Sequence, residues 1–272
     1  MELEFLGGAS EFGRLAFLAR TAAGVFCFDY GLNVQTGEVP VVADPNAFVR
    51  ELRAVFLSHA HLDHSGGMPL PFRWGYRGNV YATPTTHELM SMMLWDALKV
   101  QALQGRVLYA DNDITAVERS ARDLLFRQPL ELVGRAEDRA AGAGNAGLGR
   151  AARVTAFDAG HIPGSMGTLL EAEGKRLLYT GDVKFTATRL MGGADQRVGC
   201  DVLVMEGTYW DKNHPERAAV EQQLRAHARE VLGSGGTLLL PAFALGRTQE
   251  LLLNLWDIGW PVVVDGMGAE AT

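Results

Sequence analysis

Three histidines and one aspartate fall within six residues, directly after an apolar segment. They are His59, His61, Asp63 and His64, in the sequence His-Ala-His-Leu-Asp-His. Neutral imidazole and carboxylate are ligands that zinc takes in proteins, at about 2.0–2.2 Å. An extended chain projects His59 and His61 to one side, and the turn that follows brings round Asp63 and His64. We interpret the segment as half of a two-metal site, in preference to a polar turn with surface histidines.

Two later residues at predicted strand ends are candidates to complete this site. His161 lies in Ala-Gly-His-Ile-Pro-Gly-Ser, and Asp182 lies in Tyr-Thr-Gly-Asp. A carboxylate can bridge two cations with its two oxygens, so Asp182 is a candidate ligand and, with Asp63, a candidate catalytic residue. Taken alone, His161 is better explained as a hydrogen-bonding surface histidine and Asp182 as a turn aspartate.

Two further acidic residues end predicted strands. Asp29, in Phe-Asp-Tyr-Gly, could accept a hydrogen bond that fixes the tautomer of a ligand histidine, and a plain turn residue is nearly as good an explanation. Glu206 precedes Gly207 and could support acid–base chemistry beside the metals. The residues alone favour neither role for Glu206.

Two divalent metals about 3.5–4 Å apart can hold a bridging hydroxide, align it for in-line attack and neutralise charge on a phosphoryl oxygen. That chemistry suits phosphodiester hydrolysis, and it suits the hydrolysis of thioesters or lactams equally well. The ligand set therefore indicates a fold and leaves the substrate open.

Composition narrows the class of protein only a little. The 272 residues carry a formal net charge of −7 and a hydrophobic fraction of 47%, typical of a globular core. The charge argues against a protein that coats nucleic acid by bulk electrostatics, but it leaves a local basic groove open. The acidic N-terminus and the lack of a long apolar run predict a cytoplasmic protein with no membrane segment. Cys27 and Cys200 are far apart and are expected to be inert thiols.

The hydrophobic pattern predicts an α/β fold that places these residues at strand ends. Strands are expected at 2–6, 15–20, 24–28, 54–57, 153–157, 167–172 and 175–179, with a hairpin turn at Glu173-Gly174. A helix is expected at 86–104, with Leu89, Met93, Ala97 and Val100 on its buried face. Residues 134–150, rich in Gly and Ala, are expected to form a mobile loop.

From residue 201 the pattern changes to strands and helices in alternation. Strands are expected at 202–205, 236–241 and 261–265, and helices at 215–232 and 247–256. This alternation is typical of a parallel α/β unit. Because no helix follows the last strand, we expect the chain to be a fragment that stops within a domain.

The residues in their order resemble a known family. Asp29, the segment 59–64, His161 and Asp182 are similar to the motifs of the metallo-β-lactamase fold. Further segments resemble the β-CASP nucleases, especially the branch of the cleavage and polyadenylation specificity factor endonuclease and its prokaryotic relatives. These segments are Gly-Gly-Ala-Ser-Glu-Phe-Gly-Arg near the start, His-Ile-Pro-Gly-Ser, Met-Glu-Gly-Thr-Tyr and Pro-Ala-Phe-Ala-Leu-Gly-Arg-Thr-Gln-Glu.

The resemblance implies a metallo-β-lactamase αββα sandwich in residues 1–205 and the start of a parallel α/β β-CASP domain in residues 206–272. It implies two zinc ions: His59, His61 and His161 bind one, Asp63 and His64 bind the other, and Asp182 bridges them.

The resemblance also implies roles outside the ligand set. Glu206 matches an acidic residue that pairs with a distant histidine to protonate the leaving group. Gly246 and Arg247 match a segment that lines the nucleic-acid groove, where helix-start amides and an arginine hold phosphates. Arg247 as a solvated first-turn residue is the alternative.

The sequence also departs from the family pattern. Gly207 stands where a small hydroxyl residue is usual. Two later family histidines, a partner of the general acid and a ligand of the second metal, have no counterpart here, so the second zinc site is expected to be incomplete.

The resulting hypothesis is a zinc-dependent ribonuclease that cuts single-stranded RNA internally or from the 5′ end, with DNA as a further substrate left open. The alternatives are a metallo-hydrolase of small thioesters or lactones and a non-catalytic scaffolding paralogue in an RNA-processing complex. A homodimer and membership of such a complex are both left open.

Overall fold

Two β-sheets form the centre of the computed structural model, which describes residues 1–132, 151–195 and 197–272. The predicted mobile loop at 134–150 lies outside the described residues. The first sheet contains β1 (Glu2–Gly7), β2 (Ala16–Thr21), β3 (Gly24–Phe28), β4 (Leu52–Phe56), β5 (Asn79–Ala82) and β6 (Ala121–Asp123), in that order. The second contains β7 (Leu130–Leu132), β8 (Ala152–Asp158), β9 (Met166–Ala172), β10 (Lys175–Tyr179) and β11 (Val202–Val204), and its order is β11-β10-β9-β8-β7.

Helices flank these sheets and follow them. They are α1 (Pro45–Glu51), α2 (Leu62–Ser65), α3 (Pro69–Arg73), α4 (Pro84–Leu103), α5 (Asp111–Ser120), α6 (Arg217–Gly233), α7 (Arg247–Leu255) and α8 (Met267–Glu270). Every helix in the described ranges is too short or too polar to cross a membrane. The predicted α/β fold class is confirmed.

Strand direction brings the polar strand ends together. In the first sheet β3, β4, β5 and β6 are parallel, and Phe28 of β3 is in register with Phe56 of β4. The carboxyl ends of these two strands therefore meet at one edge, where the Asp29 amide donates to the Phe56 carbonyl at 2.9 Å. The Met166 amide, at the start of β9, donates to the Ser58 carbonyl at 2.8 Å and joins the second sheet to the same edge.

The core lies between the two sheets. Phe17 and Phe28 from the first sheet contact the ring of Tyr179 from the second edge-on, at centroid distances of 5.1 and 5.8 Å. All three side chains are buried. Edge-to-face pairs of this kind add to the free energy gained from burying apolar surface.

The predicted hairpin between β9 and β10 is confirmed. Ala172 pairs with Lys175, and the two turn residues Glu173 and Gly174 both have positive φ, 55° and 69°. This is the backbone of the two-residue turn that matches the twist of antiparallel strands.

The predicted buried face of α4 is correct in part. Ala97 is buried, and Leu89 and Met93 pack partly buried against the core, but Met90 and Leu94 are the more deeply buried side chains and Val100 is exposed. The helix carries apolar residues around most of its circumference, so periodicity alone does not select the face that packs.

Two predicted strands after residue 205 are also wrong. Residues 236–241 and 261–265 have no strand partner among the described residues. Several of their apolar side chains face solvent, with Leu239 81% and Val263 89% exposed, whereas Leu238 packs against α6 and α7. An apolar run forms a strand only where a neighbour satisfies its backbone N–H and C=O groups. The helices α6 and α7 do form, and they pack on each other through Ala228, Leu255 and Ile258.

Candidate metal centre

The segment after β4 is held in place by backbone hydrogen bonds to the segment after β3. Tyr30 donates its amide to the His64 carbonyl at 2.8 Å, and the Leu15 amide donates to the Asp63 carbonyl at 2.9 Å. Gly31 lies between these contacts, and a Cβ at that position would stand 1.6 Å from the Asp63 carbonyl oxygen. Only glycine allows the two segments to approach this closely.

The loop that carries His161 is tied to the start of α4. Gly164 has a φ of +84°, and its carbonyl accepts hydrogen bonds from the hydroxyls of Thr83 at 2.7 Å and Thr86 at 2.9 Å. Within the loop, the His161 amide donates to Ser165 Oγ at 3.1 Å. These bonds fix the direction in which His161 leaves the loop.

His59, His61 and His161 converge on one oxygen of Asp182, and together they form the three-histidine group. One ligand atom from each of the four residues lies within 4.8 Å of the others. His61 Nδ1 is 3.1 Å from His59 Nε2 and 3.2 Å from His161 Nε2. Asp182 Oδ2 is 3.5 Å from His161 Nε2 and 3.9 Å from His59 Nε2.

These separations fit a metal ion. A tetrahedral zinc shell places neighbouring ligand atoms roughly 3.3–3.6 Å apart. The donor set of three imidazoles and a carboxylate is also one that zinc takes. His61 presents Nδ1 to the group, and its Nε2 is buried on the side of the Leu245 backbone.

Asp63 and His64, with the other oxygen of Asp182, form the His64 group. His64 Nε2 lies 3.2 Å from Asp182 Oδ1 and 3.7 Å from Asp63 Oδ2. The Asp63 side chain is 43% exposed, so this group opens toward solvent. Asp182 therefore directs one carboxylate oxygen at each group.

Burial keeps the three-histidine group neutral. It lowers the pKa of His161 to about 4, against the opposing charge of Asp182, and the nearby Arg247 adds to the lowering. Burial and the neighbouring imidazoles lower the pKa of His59 well below its usual range. Burial also lowers the pKa of His61. Neutral imidazole is the form that binds a metal.

The pKa values of His64 and Asp182 shift in opposite directions because the two side chains face each other. Burial lowers the pKa of His64, but Asp182 and Asp29 outweigh it and hold the pKa well above the usual range. Burial raises the pKa of Asp182, but His64 and the other site histidines outweigh it, so the carboxyl stays ionised. Removing the proton that His64 holds is favoured when a metal cation takes its place.

Asp29 is fully buried behind His64 and accepts four hydrogen bonds. Its donors are the Ser58 amide at 2.6 Å, Ser58 Oγ at 2.8 Å, His64 Nδ1 at 2.7 Å and the Tyr179 hydroxyl at 2.5 Å. Sequence reasoning singled out Asp29 and missed Ser58 and Tyr179. Both flank the ligand motifs, one residue before His59 and three before Asp182, and this position is the signal that could have identified them.

Glu206 lies beside Val183, the residue that follows Asp182, and does not contact the metal ligands directly. Its Oε1 accepts the Val183 amide at 3.1 Å, and its Oε2 accepts the Thr208 amide at 3.4 Å. The carboxylate is partly exposed. It is therefore at the rim of the centre, where a substrate could reach it.

Gly246 and Arg247 begin α7 next to the His161 loop. Gly246 has a φ of +77°, and a Cβ there would meet Ile162 Cγ2 at 2.5 Å. Arg247 is exposed and close enough to His161 to influence its pKa. The two residues thus lie on the same side of the centre as His161.

Comparison with known proteins agrees with this geometry. The family model described as beta-lactamase superfamily domain matches residues 28–231. Over the whole chain, a probable RNase, MJ4, of Methanocaldococcus jannaschii is 33% identical, and the chain covers 61% of it. RNase aCSPSF2 of Saccharolobus solfataricus is 34% identical over 99% of the chain and 52% of its own length. The transcription termination factor FttA of M. jannaschii is 35% identical over the whole chain and 43% of its own length.

The chain spans about half the length of the curated relatives that it matches. The family match covers most of the chain and includes every residue of the two ligand groups. The resemblance inferred from the motifs is confirmed: this chain belongs to the beta-lactamase superfamily, in its metallo-β-lactamase branch.

Proposed function

We propose that this chain provides the two-zinc core of a β-CASP-type ribonuclease that hydrolyses phosphodiester bonds in single-stranded RNA. The observation that carries the proposal is the position of Asp182, whose Oδ2 lies 3.5 Å from His161 Nε2 and whose Oδ1 lies 3.2 Å from His64 Nε2. A carboxylate between two ligand groups can bind a pair of metal ions, one with each oxygen.

The three-histidine group would hold one zinc ion and the His64 group the other, with Asp182 between them. When bound, two such ions activate water and neutralise negative charge on a phosphoryl oxygen. The protein's own part is to hold neutral imidazoles and an ionised carboxylate in place before the substrate arrives. Asp63, which is the most exposed ligand, remains accessible to the reacting groups.

Residues outside the ligand groups would bind the RNA and assist proton transfer. Glu206 is a candidate to pass a proton to the leaving oxygen, since its partly exposed carboxylate is hydrogen-bonded beside Asp182. Arg247 and the amides at the start of α7 are candidates for a phosphate contact next to His161. We assign the metal ligands to a domain at 1–205 and these phosphate contacts to a partial β-CASP domain at 206–272.

RNA is favoured over a small thioester or lactone for two reasons. Two of the relatives that match the whole chain are named RNases. The His64 group also opens to solvent, as a site for a polymer must. This function would place the protein in the cytoplasm, and a homodimer or an RNA-processing complex would be its expected context.

The test measures zinc per chain by mass spectrometry and cleavage of a single-stranded RNA labelled at either end. Wild type should bind about two zinc ions. His59→Ala should lose zinc and cleavage together. His227→Ala is the matched control, because His227 is 74% exposed on α6, far along the chain from the ligands. Internal cutting should yield two labelled fragments, one carrying the 5′ label and one carrying the 3′ label. Exonuclease action should release labelled mononucleotides from the 5′ end.

A single-stranded DNA of the same sequence and a small thioester complete the substrate set. Full zinc occupancy with thioester turnover and no cleavage of RNA would overturn the proposal. Zinc loss in His227→Ala equal to that in His59→Ala would also contradict it.

A further inference from the structure

The buried hydroxyl of Ser58 connects Asp29 to both ligand groups. Ser58 is 2% exposed, and its Oγ lies 2.8 Å from Asp29 Oδ2, 3.0 Å from His59 Nδ1 and 3.3 Å from His64 Nδ1. His59 belongs to the three-histidine group and His64 to the His64 group. The same hydroxyl thus stands behind one ligand of each.

The number of protons determines the direction of these hydrogen bonds. Four donors converge on the two oxygens of Asp29, which act as acceptors throughout. The Ser58 hydroxyl has one proton, and Asp29 takes it. Ser58 Oγ is then an acceptor toward His59, so the ring proton of His59 must be on Nδ1. This leaves the lone pair of His59 on Nε2, which faces His61 Nδ1 at 3.1 Å.

His64 would take the same tautomer through a direct bond once a metal ion displaces the proton from its Nε2. Its Nδ1 donates to Asp29 Oδ2 at 2.7 Å, so its Nε2 is directed at Asp182 Oδ1, 3.2 Å away. One carboxylate therefore orients His64 directly and His59 through Ser58.

Tyr179 holds that carboxylate in position. Its hydroxyl donates to Asp29 Oδ2 at 2.5 Å, while its ring packs edge-on against Phe17 and Phe28 between the sheets. A phenylalanine would keep the ring contacts and lose only the hydrogen bond.

We propose that Ser58 and Tyr179 are positioning residues which, through Asp29, fix the metal-binding tautomer of one histidine in each ligand group. The inference rests on the proposed two-metal site. Hydrogen bonds of this kind to a ligand histidine typically change metal affinity by about 10–100-fold. Ser58→Ala removes the acceptor of the His59 ring and one of the four donors to Asp29, so its larger effect is expected at the three-histidine group. Tyr179→Phe leaves the Ser58 hydroxyl in place, loosens Asp29 and so affects both groups.

The chain offers a matched control for each change. Ser65 is fully buried in the same segment, but among the described residues its hydroxyl donates only to the backbone carbonyls of Ala60 and His61. Tyr30 is fully buried, and its hydroxyl has no hydrogen-bond partner among the described residues. Ser65→Ala and Tyr30→Phe therefore remove a buried hydroxyl without touching a ligand ring.

The experiment combines zinc affinity by chelator competition with long-range 1H–15N NMR of the histidine rings, which reports the tautomer. In wild type, His59 should show a single tautomer with the proton on Nδ1, in metal-free and zinc-loaded protein alike. Ser58→Ala should show mixed His59 tautomers and bind the zinc ion of the three-histidine group about 10–100-fold more weakly. Tyr179→Phe should weaken the binding of both zinc ions. Both control variants should bind zinc as wild type does.

Two results would overturn the inference: an unchanged His59 tautomer in Ser58→Ala, or an equal loss of affinity in Ser65→Ala. If Ser58→Ala does not fold, Tyr179→Phe still decides, because unaltered zinc affinity there contradicts the role of Asp29. If wild type binds no zinc, the proposed function fails. The NMR spectrum of the His59 ring in metal-free protein then still tests whether Ser58 fixes its tautomer.

Discussion

Two regions of the molecule contain similar apolar segments and fold to different extents. In the first 204 residues, segments such as β4 (Leu52–Phe56) are paired on both sides and buried. After residue 205, the segments 236–241 and 261–265 pair with no strand in the part of the chain that the structure describes, and Leu239 is 81% exposed. The two helices of the later region form nonetheless.

The difference follows from where backbone hydrogen bonds are made. A helix satisfies its N–H and C=O groups within one segment, whereas a strand depends on neighbours. The later region joins the first through the side chain of Leu245, which is buried in the main core, and through polar contacts in which the Arg189 and Leu190 amides donate to the Glu250 carboxylate at 3.1 and 2.8 Å. We call residues 1–204 the paired region and the residues after 205 the later region. The metal ligands belong to the paired region, and the candidate phosphate contacts Gly246 and Arg247 belong to the later region. Changes in one region should therefore have effects that are separable from changes in the other.

The largest effect is expected from Asp182→Ala. Because Asp182 faces both ligand groups, its loss should release both metal ions and lower RNA cleavage by roughly 10³-fold or more. Mass spectrometry measures the metal content, and single-turnover kinetics measure RNA cleavage. Asp257→Ala removes an aspartate whose side chain is 46% exposed and should leave both values unchanged. One retained zinc ion in Asp182→Ala would show that the two groups do not share this carboxylate.

Gly31→Ala should break the paired region itself. The new Cβ would lie 1.6 Å from the Asp63 carbonyl oxygen, and backbone cannot move aside as a side chain can. We expect the free energy of unfolding to fall by about 3 kcal/mol, measured by urea denaturation, together with loss of zinc. Gly192→Ala is the control, because its Cβ would have no atom within 4 Å. Equal stability of the two variants would show that the segments after β3 and β4 are not held as described.

Gly246→Ala should affect the later region and leave the metals in place. Its φ of +77° and the contact of the new Cβ with Ile162 Cγ2 at 2.5 Å would displace the start of α7 from the His161 loop. We expect a loss of about 1–2 kcal/mol of stability. RNA affinity should weaken roughly tenfold through Arg247, with zinc content unchanged. Gly233→Ala, at the end of α6, should change none of these values, and zinc loss in Gly246→Ala would contradict the separation of the two regions.

Local patterns in the sequence were sufficient to predict most elements of the paired region and the order of its polar strand ends. The hairpin at Glu173-Gly174 follows from two turn residues between apolar runs, and the structure contains it. The face of α4 and the unpaired segments after residue 205 could not be predicted in this way. A helix that is apolar nearly all round packs according to its neighbours, and a strand requires a partner that its own residues do not specify.

The residues of the candidate site also fall into those that local sequence predicts and those that it does not. Residues that supply metal ligands are recognisable because histidine and aspartate cluster after apolar strands. The bond from Tyr179 to Asp29 joins residues 150 positions apart, and the use of His61 Nδ1 rather than Nε2 depends on how His59 and His161 converge. No local pattern carries such information, since it arises only when the sheets pack.

The smallest effect is expected from the exposed apolar segments. Leu239→Ser and Val263→Ser remove side chains that are 81% and 89% exposed, so stability should change by no more than about 0.5 kcal/mol. Leu170→Ala, at a fully buried position of β9, should cost about 2–5 kcal/mol in the same denaturation assay. Because exposed apolar surface promotes association, the two serine variants should also self-associate less in analytical ultracentrifugation. A loss above about 1 kcal/mol in either serine variant would mean that these segments are packed in solution, and the contrast between the two regions would then disappear.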